Sequence, residues 1–93
     1  MKEYRVVCDI QHSSPKGEKH FHEGVTPFGQ NGIGHQRILK SKEEAENYME
    51  RCIENGKFFI RREDEMRKHY PDLFEEYEFS NYRIQSREVT EWQ

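Results

Sequence analysis

Long apolar runs are what this sequence has least of. Only 32% of its 93 residues are hydrophobic, against 35% charged, and nothing approaches the ~20 consecutive apolar residues of a membrane-spanning helix. The opening MKEYRVVCDI has neither the apolar stretch nor the small-residue cleavage site of a secretory signal. Cysteine is scarce as well. Cys8 and Cys52 stand far apart, and neither belongs to a C-x-x-C pair, which excludes a zinc ribbon and a thioredoxin-type redox motif. Both fall on the expected apolar face of their element, where free thiols behave as small hydrophobes and suit a reducing cytoplasm. The glycines of GQNGIGH are followed by no lysine and hydroxyl, so they form no Walker loop, and their order is not that of a dinucleotide fingerprint.

Aromatics are what the sequence does have. Six Phe, five Tyr and one Trp are spread along the chain, and each brings a large apolar area that a disordered chain would lack. A chain of this length supports one domain, residues 1–93, with one thin core. Net charge is −3 but uneven: up to Lys40 there are six Lys or Arg against four Asp or Glu, and from Ser41 onward nine against fourteen. Four of the five histidines also lie in the first part. The acidic total argues against a general nucleic-acid binder.

Period-two alternation over Glu3 to Ile10 sets Tyr4, Val6, Cys8 and Ile10 against Arg5 and Asp9, with Val7 the exception, and predicts a half-buried strand. QHSSPKG, Gln11 to Gly17, ends it in a turn, and Lys19 to Glu23 returns as a short second strand. Gly24 to Gly34 reads as a loop with Asn31-Gly32 as a tight turn, and His35 to Lys40 as a third strand. Ser41 with Glu44 three residues on is a capping box, and Ala45, Tyr48, Met49, Cys52 and Ile53 then form one helical stripe. Gly56 is expected to stop that helix near Asn55. A second helix is expected over Phe58 to Tyr70, ended by Pro71, with i,i+4 pairs Arg61–Glu65 and Asp64–Lys68 on its solvated face; a strand over Lys57 to Arg62 is the competing reading. Asp72 to Glu78 is spaced for one or two helical turns. Asn81 to Trp92 reads as a long strand with a bulge or change of face between Ile84 and Val89. The sum is an α+β domain: an antiparallel sheet of three to four strands, one or two helices on one face, order β-β-β-α-α-β, and a second face left free.

The helix start Ser41-Lys42-Glu43-Glu44-Ala45-Glu46 and the ending Tyr82-Arg83-Ile84 through Arg87-Glu88-Val89-Thr90-Glu91-Trp92 resemble small phage- and prophage-encoded proteins with no assigned reaction. The resemblance spans about a third of the chain and leaves Lys57 to Ser80 unexplained. It implies a bacterial or phage origin and a cytoplasmic setting, and it carries over no catalytic residue.

Chemistry-bearing residues concentrate in KHFHEGVTPFGQNGIGHQ, Lys19 to Gln36. On a strand His20 and His22 would project from one face about 7 Å apart, and Cys8, His12 or His35 could complete a nitrogen–sulfur metal set. Alternatively His20, His22 and His35, with Lys19 and Arg37, supply the base, acid and cation of a small nuclease. Against both stands the plain reading of solvated loop histidines. DLFEEYEF interleaves acids with aromatics, as a segment docking on a basic, partly apolar partner would; against that, its aromatics simply pack on the sheet. The reading adopted is a cytoplasmic interaction module without cofactor, meeting a protein partner or a second copy of itself, with Asp72, Phe74, Glu75, Glu76, Tyr77 and Glu78 facing the partner. The alternative is a histidine-based or metal-dependent enzyme at His20, His22 and His35, and a third reading is nucleic-acid binding through Arg5, Lys16, Lys19, Arg37 and Lys40.

Overall fold

The computed structural model of the chain describes residues 1–29 and 34–89. Strand β1 (Lys2–Ser13) is the centre of a three-stranded antiparallel sheet of order β2-β1-β3, with β2 (Lys19–Val25) on one side and β3 (Glu76–Glu88) on the other. The opening strand alternates in side as expected, but it is not half-buried: Val6 to Ile10 are buried in one run, with Val7 and Asp9 on the side away from the helix. A turn over Ser14 to Glu18 closes the first hairpin. Gly17 takes a left-handed φ of 87° there and its N–H donates to the Ser14 carbonyl, a conformation glycine adopts without a Cβ clash.

One helix, α1 (Lys42–His69), runs where two were expected. Its start is as the sequence predicts: Ser41 Oγ accepts the Glu44 N–H at 3.1 Å. The returning glutamate accepts the Lys40 N–H at 3.2 Å, one residue before the serine. Gly56 does not end the helix but lies buried inside it. A Cβ there would come within 2.5 Å of Tyr82 Oη and 3.1 Å of Phe79 Cδ2. The glycine therefore serves the approach of helix to sheet. With no break at Gly56, good helix formers carry the helix on to His69, and Tyr70 and Pro71 end it. Its surface ion pairs are i,i+3, Asp64–Arg67 at 2.7 Å and Glu65–Lys68 at 3.5 Å, rather than the expected i,i+4.

The third expected strand shrinks to a single bridge, Leu39 opposite Tyr4, with both backbone bonds made. Asp72 to Glu78 is not helical. A turn covers Pro71 to Leu73 and β3 begins at Glu76, so Tyr77 and Phe79 face the helix while Glu76 and Glu78 face away. The expected bulge in this strand sits at Asn81, where the register shifts, rather than beyond Ile84. Asn31-Gly32 and the end of the expected last strand, Thr90 to Trp92, lie outside the described residues.

Helix and sheet are matched in length, about 42 Å for 28 helical residues and about 44 Å for 13 in a strand. The molecule measures 55 × 22 × 20 Å, with a radius of gyration of 15.6 Å, where a compact chain of this size would give about 12 Å. An elongated two-layer body has a thin core, and here it forms two clusters. Val6, Leu39, Ala45 and Cys52 form one, flanked by Tyr4, Tyr48, Met49, Tyr82 and Ile84. Phe28, Phe59, Tyr77 and Phe79 form the other, with ring centroids 5.1 to 6.3 Å apart. Gly56 touches Tyr82 of the first and Phe79 of the second, so the clusters meet under it. Of the three strands, α1 packs on β1 and β3.

Candidate functional site

The hairpin register decides where the histidines go. His12 stands opposite His20 on one side and Tyr77 on the other, and Ile10 stands opposite His22 and Phe79. Residues paired across an antiparallel ladder share a face. The imidazoles of His12, His20 and His22 therefore lie together on the helix-bearing side, at the turn end of the sheet. His12 stacks between its neighbours, 5.0 Å from the His20 ring, 5.2 Å from His22 and 5.6 Å from Tyr77. Its Nδ1 donates to Glu75 Oε2 at 2.5 Å and its Nε2 lies 3.1 Å from His22 Nε2. Bonding to a carboxylate places a proton on Nδ1, so a neutral His12 turns the lone pair of Nε2 toward His22. Burial, then Glu75 and Glu63, push the Tyr77 phenol up, placing both carboxylates near this corner.

Two of the three histidines expected to act together are thus close, and the third partner is His12 rather than His35. His35 is exposed beside the shallow hollow lined by Pro27, Tyr48, Cys52 and Asn55. Cys8 cannot serve the histidines, because it is fully buried in the core. Burial, reinforced by Asp9, pushes its thiol up to about 11, so it stays protonated. Both cysteines are free and buried. Glu75 joins His12 across 63 residues of chain, a contact no local pattern announces. The opposition of His12 and His20 did have a signal, the SSPKG turn between them.

The opposite face is polar and exposed toward its two ends, while Val7 and Asp9 are buried in its middle. No helix or strand among the described residues lies over it. The ladder places Arg5, Gln85 and Arg87 at its upper end beside Glu3, Arg83 near the middle opposite Val7, and Phe21, Glu76 and Glu78 at its lower end beside Lys19. Arg5 bonds Gln85 at 2.7 Å, and Phe21 is 61% exposed. Gln36 and Ile38 border the upper end around a cleft of about 220 Å³. The basic residues proposed for nucleic acid are spread out. Arg5 is on this face, Lys16 in the hairpin turn, and Lys19 at the start of β2, while Arg37 lies over the Tyr48 ring and Lys40 faces Glu3 at 3.9 Å. Asp72 is exposed in its turn, and Phe74 and Glu75 are half-buried behind the open face.

Asp9 was visible in the sequence only as the polar side of a strand. It is 7% exposed and organises the middle of the sheet. Both neighbouring strands carry an extra residue beside it, β2 at Gly24 with φ 66°, between the partners of Cys8 and Ile10, and β3 at Asn81 with φ 52°, between the partners of Val7 and Asp9. Its carboxylate accepts the Gly24 N–H, the Asn81 amide and the Arg83 guanidinium, each at 3.0 Å. The Gly24 N–H first, then Asn81, and Arg83 behind them, hold this carboxyl below the usual carboxylate range against the cost of burial. Since folding lowers its pKa, its contribution is fully present above about pH 4, the unfolded value, and fades as pH falls through the lower folded value. Asp9→Asn should be less stable than the parent at neutral pH and lose less stability on acidification below about pH 4. Denaturant midpoints measured across that range check this, and parallel curves for the two proteins would refute it.

The elements and corners described define a small α+β domain of one helix on a three-stranded sheet, with a histidine–carboxylate corner on one face and an open polar face on the other. No family model, no curated protein and no solved structure matches the chain. Among the described residues no helix is long and apolar enough to cross a membrane.

Proposed function

We propose that the domain is an interaction module whose partner is a second copy of itself, docked face to face through the open side of the sheet. The observation that carries this reading is the charge layout of that face. Arg5 and Arg87 occupy one end and Glu76 and Glu78 the other, with Arg83 between them in the middle, bonded to Asp9. Two copies related by a two-fold axis through the middle would set the arginines of each against the glutamates of the other, the self-complementarity an isologous contact needs. Strands of 12, 7 and 13 residues, at about 3.4 Å per residue and about 4.8 Å apart, offer roughly 500 Å² per copy, below the ~800 Å² of a standard interface, so the association would be weak and reversible. Phe21 adds an exposed aromatic to the acidic end. Of the residues expected to meet a partner, Glu76 and Glu78 lie on this face, while Tyr77 packs inward on Phe59. The phage or prophage origin and cytoplasmic setting rest on the resemblance of the capped helix and last strand.

Sedimentation equilibrium over about 10 to 300 μM should show a monomer–dimer equilibrium that weakens with salt. Arg87→Glu and Glu78→Lys should each raise the dissociation constant at least tenfold, and mixing the two should restore association, because one of the two contacts is remade with reversed sign. A monomer throughout that range, or singles that associate like the parent, would overturn the reading.

A further inference from the structure

We infer that His12, His20 and His22 form a binding site for a divalent transition-metal ion of the zinc class, with Glu75 orienting His12. The inference is independent of the face-to-face dimer, since the site lies on the helix-bearing side. Its starting point is the meeting of two distal nitrogens, His12 Nε2 and His22 Nε2, at 3.1 Å. Ligand nitrogens on a tetrahedral ion with metal–nitrogen distances of ~2.05 Å stand about 3.3 Å apart. The pair is therefore already at ligand spacing. A hydrogen bond explains the same distance when one of the two rings carries a proton on Nε2, whereas a cation uses the Nε2 lone pair of both rings.

The carboxylate behind His12 points the same way. Glu75 accepts from His12 Nδ1, fixing the tautomer with Nε2 free, the arrangement metal-ligating histidines usually have. Glu18 and Glu75 flank the histidines and lower the potential for a cation.

The third nitrogen comes from His20. As the side chains stand, no group of three potential ligands among the described residues is arranged to hold an ion. The His20 Nε2 is turned instead toward Glu18, 3.9 Å away, with both side chains well exposed. A contact that long and that exposed holds the ring weakly. The ring is already stacked 5.0 Å from His12 and shares a strand face with His22, so a side-chain rotation brings its nitrogen in without moving the backbone. Three imidazoles leave a fourth position for water, the ligand composition of open zinc sites. Imidazole donors select zinc, cobalt, nickel and copper over magnesium and calcium.

The test uses full-length protein without an affinity tag, titrated with Co²⁺ and followed by visible absorption, then with Zn²⁺ by calorimetry. One ion per chain is expected, with a tetrahedral cobalt spectrum displaced by zinc. His12→Ala and His22→Ala should each weaken binding at least 100-fold and His20→Ala about tenfold, while Glu75→Gln, which keeps all three ligands, should weaken it about 10- to 100-fold. His35→Ala and His69→Ala should bind as the parent does. Circular dichroism of each variant without metal confirms that it is folded. Absence of saturation at 1 mM metal, a His12→Ala protein that binds normally, or equal losses from His35→Ala would overturn the assignment. A Glu75→Gln protein with parental affinity would overturn the orienting role of Glu75.

Discussion

Phe59→Ala should lower the unfolding free energy by about 4 kcal/mol, within the range for removing a buried aromatic from a core. Phe59 is 5% exposed and stands edge-on to Phe28 and Tyr77, with Phe79 tilted beside it. Those rings arrive from three places: the helix, β3 and the connection after β2. Truncation therefore loosens the helix from the sheet and also frees the segment that Phe28 pins. Little else can compensate, because among the described residues the further buried apolar side chains are Val6, Val7, Cys8, Ile10, Pro27, Leu39, Ala45 and Cys52. A domain of this length has a total stability on the order of 5–14 kcal/mol, so the variant should melt about 15–30 °C lower. Thermal denaturation by circular dichroism, read with denaturant midpoints, checks the figure. A fall of less than 5 °C would mean that the four rings do not act as one nucleus.

What could be read from the sequence divides along physical lines. Features set by neighbours in the chain were legible: the alternation of Tyr4, Val6, Cys8 and Ile10, the serine cap at Ser41, and the stripe from Ala45 to Ile53. Each depends on local geometry whose period or spacing is written in the residues themselves. Gly56 reads as a helix stop because a glycine after an apolar stripe has two physical uses, a left-handed cap and a close approach, and only Phe79 and Tyr82, more than twenty residues away, distinguish them. Glu76, Tyr77, Glu78 and Phe79 alternate with period two, yet Leu73, Phe74 and Tyr77 also fit a helix. Pairing with β1 decided between these, and pairing is a tertiary fact.

The candidate sites divide in the same way. His20 and His22 were identifiable as a same-face pair from their spacing. His12 needed the turn length, and Glu75 needed the third strand to be placed beside the first. His35 was grouped with the others only by closeness in sequence, and the chain between Val25 and Leu39 carries it elsewhere. The open face was expected, but its ordering into a basic and an acidic end was not, since it depends on β3 lying antiparallel to β1 with Arg87 beside Glu3 and Glu76 beside Ser13.

Gly56→Val should destabilise the fold by about 3 kcal/mol, and Gly56→Ala by about 1 kcal/mol, although an ordinary helix interior gains about 1 kcal/mol from glycine to alanine. The sign reverses because the added Cβ would meet Tyr82 Oη at 2.5 Å and Phe79 Cδ2 at 3.1 Å. Relieving the first contact means moving a phenol whose burial raises its pKa, and relieving the second means shifting a ring of the aromatic nucleus. Overpacking of this kind costs about 1–3 kcal/mol, and valine adds two methyls and a χ1 restriction to it. A double-mutant cycle isolates the cause. Tyr82→Phe removes the oxygen that the Cβ would strike, so Gly56→Ala in that background should be close to neutral, with its helix propensity offsetting what remains against Phe79. Stabilisation of the parent by Gly56→Ala would show that helix and sheet have slack at this crossing. The two core clusters would then have to be held together by the flanking aromatics rather than by the close seat of the helix.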